Sequence, residues 1–328
     1  MGMRTRNLRV DGLKFFLVCM VVLGHCIQPF RYDSMVLGGM YGIIYSFHMP
    51  LFVILSGYFF RVDDLAKEAW RCLRLFETFV VVTLVFWLLS GMSYTWPLVR
   101  IGSCPSWYLF SLVCWRAIGN LALKKMPFKC LFALSALASV MLYIVLNVGE
   151  GMFGIMRTVQ FFPYFLFGYA LSLRIINLET PKSSFLYVIA TMSIFVFMLY
   201  PTYAIHTQEF QNVGILHWSK MFGVNILGAA EVFLFVKIAS IAMSYAVWRI
   251  VKLPDCVTYY GKYTLLVFIV HTMFLPLMYR FCESLWQTTI MGVFTIVGAL
   301  LVTKTKLHVF VINPISTVFL IARKGQSK

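Results

Sequence analysis

The chain has 328 residues, of which 61% are hydrophobic and 12% charged, against about half and a quarter for a soluble globular domain. That composition excludes a soluble domain and implies a polytopic membrane protein. The formal charge of +16 would suggest nucleic acid in a soluble protein, but here the cations cluster between apolar segments, so topology explains them and no nucleic-acid partner is expected.

Because a helix needs about 20 apolar residues to cross the hydrocarbon, the pattern predicts ten spans. They lie near 12–30, 40–60, 75–92, 106–123, 128–147, 155–173, 184–201, 219–246, 263–280 and 285–303. The segments are continuously apolar, without the alternation of barrel strands, so the expected fold class is an all-α bundle of about ten transmembrane helices. The opening reads as a retained first span, since no small-residue cleavage site follows its apolar run. One unit over residues 1–328 is expected, with segment 307–328 interfacial or cytoplasmic because Asn313-Pro314 interrupts its apolar run.

Cation placement supports an even count with both termini cytoplasmic. With the N-terminus inside, four of the 28 cations (Arg31, Arg100, Lys220, Arg280) fall outside and four (Lys14, Arg116, Arg157, Lys237) within spans. The other twenty fall inside, the asymmetry that the positive-inside rule demands. The eight cysteines contain no CxxC pair and mostly sit in apolar runs. They read as small core hydrophobes, with no disulfide framework or metal site expected.

Ionisable groups at membrane depth are costly and mark function. In the first span, Lys14 precedes His25 by eleven residues. At 100° per residue that spacing is within about 20° of whole turns, placing both on one face roughly 16 Å apart along the axis. Asp11 joins the same stripe, which suggests a lined cavity; the alternative is that Asp11 and Lys14 snorkel to the interface.

The second span, FHMPLFVILSGYFF over 47–60, brings His48 beside Pro50 and the small pair Ser56-Gly57. That pair permits close helix packing, a reading favoured over Ser56 as nucleophile because no adjacent base is evident. Trp107-Tyr108 opens the fourth span and suits an aromatic belt equally well. Arg157 opens the sixth, where it either snorkels at the outer interface or meets an anion such as Glu231 in the eighth. His271 lies mid-span, where a lone histidine is more often a satisfied bundle residue than a catalyst. The outer loop near 202–218 is polar-aromatic and nearly free of positive charge, suited to a connector or to facing a sugar.

These residues together resemble the acyltransferase family 3 membrane proteins. Lys14, ten residues and His25 match that family's Arg-or-Lys, ten residues, His signature. Leu23-Gly24-His25 and the SFHMPLF…SGYFF stretch at 46–60 are closest to its fucose 4-O-acetylase-like branch. Trp107-Tyr108-Leu109 follows, then Arg157-Thr158 with Pro163, Phe165 and Gly168, and finally Gly261 ten residues before His271. Two departures are Lys14 in place of the commoner Arg, and a 71–79 stretch without the proline frequent in relatives.

The resemblance implies an enzyme of the bacterial inner membrane that transfers an acetyl group from acetyl-CoA. The acceptor would be a hydroxyl of a sugar, lipid-linked glycan or polysaccharide. It implies His25 as general base, and no permanently bound cofactor. Lys14, Arg71 and Arg74 would hold the polyanionic donor at the inner mouth. Asp11, His48, Ser56, Trp107, Tyr108, Arg157 and His271 are the supporting, acceptor-binding or oxyanion candidates. The competing class is a glycan or small-solute transporter, which buried charges in a ten-helix bundle would also suit.

Overall fold

A computed structural model describes residues 7–91, 105–145, 153–173, 183–207, 215–305 and 307–312. Among the described residues every regular element is helical, and ten helices have sixteen or more residues. They are α1 (Leu8–Ile27), α2 (Met35–Phe59), α3 (Leu65–Leu89), α4 (Trp107–Ala122), α5 (Phe128–Val145), α6 (Phe153–Ser172), α7 (Ser183–Leu199), α8 (Ile226–Ile250), α9 (Thr264–Phe281) and α10 (Leu285–Val302). Each coincides with one of the ten expected segments. Six are long and apolar enough to cross a membrane: α1, α2, α3, α8, α9 with the turn before it, and α10. The chain is therefore a multi-pass membrane protein. Its outer surface carries exposed Trp70, Phe185, Phe195, Leu227, Trp286 and Phe294, as expected where the solvent is hydrocarbon.

Two boundaries differ from the sequence expectation. Helix α3 starts ten residues earlier than hydropathy places it, at an Asp64 cap whose side chain accepts from the Ala66 amide. Its first turns carry Lys67, Glu68, Arg71 and Arg74, which an apolar window rejects although they continue the helix. The stretch expected to open the eighth span instead forms a separate helix, Ile215–Phe222. Gly223 at φ +61° ends it, a backbone state that glycine adopts without a Cβ penalty, and Asn225 then caps α8. Of the outer loop, residues 208–214 lie outside the described residues, as do 313–328 of the C-terminal segment. The part of that segment described, Leu307–Ile312, packs on the bundle, and the Thr78 hydroxyl donates to the Ile312 carbonyl at 2.6 Å.

Helices α2 and α6 make the tightest seam. A Cβ on Gly57 would collide with the Phe165 carbonyl, and one on Gly168 with the Ile54 carbonyl. Reciprocal glycines let the two backbones touch, which is how membrane helices gain packing without a hydrophobic driving force between them. This supports the packing reading of Ser56-Gly57. The seam fixes α2 against α6, so the side chains both carry toward α1 hold a fixed spacing. Pro50 and Pro163 lie inside these same two helices.

One end of the bundle is tied by α1's first turn. Arg9 donates to the Trp248 carbonyl at 3.0 Å, and a Cβ on Gly261 would collide with the Asp11 carbonyl. At the other end, Cys26 and Thr288 exchange side-chain to main-chain contacts at 3.2 Å. Helix α1 is thus clamped at both ends and lies largely buried, with Leu17 and Val18 fully enclosed.

Candidate active site

The side chains with the most chemistry meet near the C-terminal end of α1. His25 faces His271 of α9 with ring centroids 5.5 Å apart, and Tyr45 of α2 edge-on at 6.5 Å. His48, one turn from Tyr45 on the same helix face, meets the Tyr45 ring edge-on at 4.7 Å. Its Nδ1 lies 2.7 Å from the Ile44 carbonyl, to which it donates. The chain then turns through a 3₁₀ segment, Gln28–Phe30, with Pro29 at its second position. This turn brings the Gln28 amide oxygen to 3.0 Å from His25 Nδ1 and 3.1 Å from the Tyr45 hydroxyl. Tyr279, two turns beyond His271 on α9, places its hydroxyl 3.3 Å from the same oxygen. Arg31 donates to the Gln28 carbonyl at 2.6 Å and locks the turn.

His271 is buried, and among the described residues neither of its ring nitrogens has a hydrogen-bond partner. Its surroundings contradict the expectation of a satisfied bundle histidine. A buried imidazole without partners costs free energy, and such a group calls for an explanation. Its ring lies against that of His25.

Arg157 enters from the first turns of α6. Its guanidinium sits 5.1 Å over the Trp107 ring. It does not pair with Glu231, which is exposed on α8. Trp107 and Tyr108 are both buried, so the aromatic-belt reading fails. Trp107 supports Arg157, while the Tyr108 hydroxyl lies 2.6 Å from Ser56 Oγ. Ser56 also donates to the Phe52 carbonyl at 2.9 Å, and this bonding gives it a structural place away from the histidines.

The other end of α1 holds Lys14 and Asp11. Lys14 Nζ lies 3.6 Å from Asp11 Oδ1 and 3.9 Å over the Phe59 ring, with about a quarter of its side chain exposed (26%). Asp11 is buried. The helix is unbroken between Lys14 and His25, so their common face holds. The residues between them on that face, Val18 and Val21, are however packed into the main core with Tyr108 and Phe268. The expected polar stripe is two polar ends joined by apolar packing.

Arg71 and Arg74 are not gathered at Lys14 by any described contact. Arg71 pairs with Asp63 at 2.9 Å and Glu68 at 3.0 Å. The Asp64 backbone N–H, and after it the Arg71 guanidinium, hold the Asp63 carboxyl below its usual range. Buried Glu68 also takes Arg116 of α4 at 2.7 Å, and Arg74 lies 5.3 Å over the Trp70 ring. This ion cluster joins α3 to α4. Among the described residues no group of three or more His, Cys, Asp or Glu side chains could hold a metal ion.

Sequence reasoning missed Gln28, Tyr45 and Tyr279. The signal for the first two was helical spacing: Gln28 is three residues after His25, and Tyr45 three before His48. Nothing local marked Tyr279, which the fold brings across from α9.

A membrane helix bundle with a histidine cluster at one end of its first helix and a cation at the other defines the class. The acyltransferase domain family model matches residues 7–304, and the chain belongs to that family. It is also similar to nodulation protein NolL of Sinorhizobium fredii (strain NBRC 101917 / NGR234), 33% identical over 89 residues. That match covers 26% of this chain and 24% of the relative. NolL of Mesorhizobium japonicum (strain LMG 29417 / CECT 9101 / MAFF 303099) is 40% identical over 60 residues, 17% of this chain and 16% of the relative. The chain thus matches about a quarter or less of the length of these curated relatives. No solved structure matches it.

Proposed function

We propose that this chain is a membrane O-acetyltransferase that moves acetyl from acetyl-CoA to a hydroxyl of a sugar or cell-surface glycan, with His25 as general base. The observation that carries the reading is the pair of facing imidazoles, His25 and the unpartnered His271, 5.5 Å apart between centroids. In the reaction, His25 takes the proton of the acceptor hydroxyl as that oxygen attacks the thioester carbonyl carbon. The tetrahedral oxyanion collapses, the C–S bond breaks, and the departing thiolate takes the proton back from the imidazolium. Proton transfer by a positioned side chain is worth ~10²–10⁴-fold. Arg157, held over the Trp107 ring, is the candidate cation for the oxyanion. His271 holds the acceptor hydroxyl or the carbonyl through its free nitrogens.

Lys14 is the donor-side cation, about 16 Å from His25 by helical rise. The cation distribution supports placing this end in the cytoplasm, where acetyl-CoA resides, and the His25 end toward the outer side of a bacterial inner membrane. A donor arm that runs from Lys14 to His25 has to open the packing at Val18 and Val21. Arg71, held by two carboxylates, belongs to the α3–α4 joint and is a poor donor ligand. Residues 1–328 act as one unit in this reading.

The test is transfer of radiolabelled acetyl from acetyl-CoA to candidate glycans in membranes containing the wild-type protein or His25→Ala. The wild type is expected to label the acceptor, and His25→Ala, present at equal level, to lose at least two orders of magnitude. Full labelling by the variant overturns the mechanism. Glycan movement across the bilayer without labelling by the wild type indicates a transporter instead.

A further inference from the structure

We propose that Gln28 is the positioning residue of His25: its amide oxygen fixes the imidazole with the proton on Nδ1 and the lone pair on Nε2. The inference deepens the reading of His25 as base and rests on it.

An imidazole must present an unprotonated nitrogen to act as a base, and which nitrogen that is depends on the bond made by the other. His25 Nδ1 lies 3.0 Å from Gln28 Oε1. An amide oxygen only accepts, so the contact requires Nδ1–H as donor and leaves Nε2 free. Gln28 is itself held. Its main-chain carbonyl accepts from Arg31 at 2.6 Å, and its side-chain oxygen lies 3.1 Å from the Tyr45 hydroxyl and 3.3 Å from that of Tyr279. Two hydroxyls from two helices therefore aim the oxygen that aims the imidazole. The same Tyr279 hydroxyl lies 3.3 Å from the His25 carbonyl and 3.4 Å from His25 Nδ1, so its one hydrogen has alternative acceptors at the last turn of α1.

A neutral amide in this place has a chemical consequence. A carboxylate would stabilise the imidazolium and hold the base protonated over a wider pH range, whereas an amide orients the ring without adding charge. Among the described residues, the other titratable or charged groups at His25 are Tyr45 of α2 and His271 and Tyr279 of α9, with Tyr41, His48, Arg157 and Arg31 around them. None of these is a carboxylate, so a change in the charge of residue 28 is expected to register in the pH profile.

The test compares Gln28→Leu and Gln28→Glu with wild type and His25→Ala in membranes, measuring acetyl transfer against pH and both substrate concentrations. Gln28→Leu removes the acceptor oxygen and is expected to lower kcat about 10–100-fold, the usual loss when an imidazole's orienting partner is removed, with both KM values nearly unchanged. Gln28→Glu keeps an acceptor oxygen; it is expected to retain activity at its own optimum and to move the acidic limb of kcat/KM upward by about one pH unit or more. Wild-type kcat and pH profile in both variants overturns the proposal. So does a Gln28→Glu as inactive as Gln28→Leu at every pH while present at wild-type level, because then the amide nitrogen, and not the oxygen, is what His25 uses. If His25→Ala keeps full activity, the base reading itself has failed; an inactive His25→Ala beside unaffected Gln28 variants overturns the positioning role alone.

Discussion

The two ends of α1 hold polar groups in opposite ways. In its first two turns, Lys14 is placed against Asp11 and a phenyl ring, as Arg71 of α3 is placed against Asp63 and Glu68. At the last turn, His25 sits among imidazoles and phenols, and among the described residues the facing His271 ring makes no hydrogen bond. A buried polar group without a hydrogen bond calls for an explanation that the paired groups at the other end do not need. In the proposed function, the Lys14 end binds the donor and the His25 end makes the bond.

The most damaging change to this arrangement is expected at neither end but at the seam that holds α2 in place. Gly57→Leu drives a side chain into the Phe165 carbonyl, and the α2–α6 contact cannot form. The expected outcome is loss of most folded protein from detergent extracts, read by size-exclusion chromatography; a normal monodisperse peak contradicts the seam. Next in size is His271→Ala. Since that ring makes no hydrogen bond in the resting protein, its removal is expected to leave membrane levels unchanged while activity falls by ~10²-fold. A variant that loses protein and activity in proportion makes His271 structural instead.

The smallest effects separate the two cations. If Lys14 holds the donor as proposed, Lys14→Ala is expected to raise the KM for acetyl-CoA about tenfold, leaving kcat at saturation near wild type. Arg71→Ala is expected to leave that KM alone and to lower thermal stability, because it strips a partner from buried Glu68. The reverse pattern moves the donor site from α1 to α3.

Much of the helical framework was legible in the sequence, because apolar runs of spanning length leave few alternatives to a helix. Boundaries failed where charged residues continue a helix, as Lys67 to Arg74 do in α3, and where a glycine ends one, as at Gly223. His25 and Lys14 were visible because a single helix and its rise fix their relation. His271 was visible as a residue, but its lack of partners is a property of three-dimensional packing and leaves no mark along the chain. Arg71 looked free because its carboxylates, Asp63 and Glu68, count in a sequence only as loop charge. Tyr279 reaches His25 across 254 residues, and no spacing rule connects them.

The division of labour along α1 is tested most directly by acetyl-CoA saturation curves for His25→Ala and Lys14→Ala measured side by side in membranes at matched protein level. The account predicts that added donor restores Lys14→Ala toward wild-type velocity and does nothing for His25→Ala. Recovery of His25→Ala at high donor, or a Lys14→Ala plateau as low as that of His25→Ala, would contradict it.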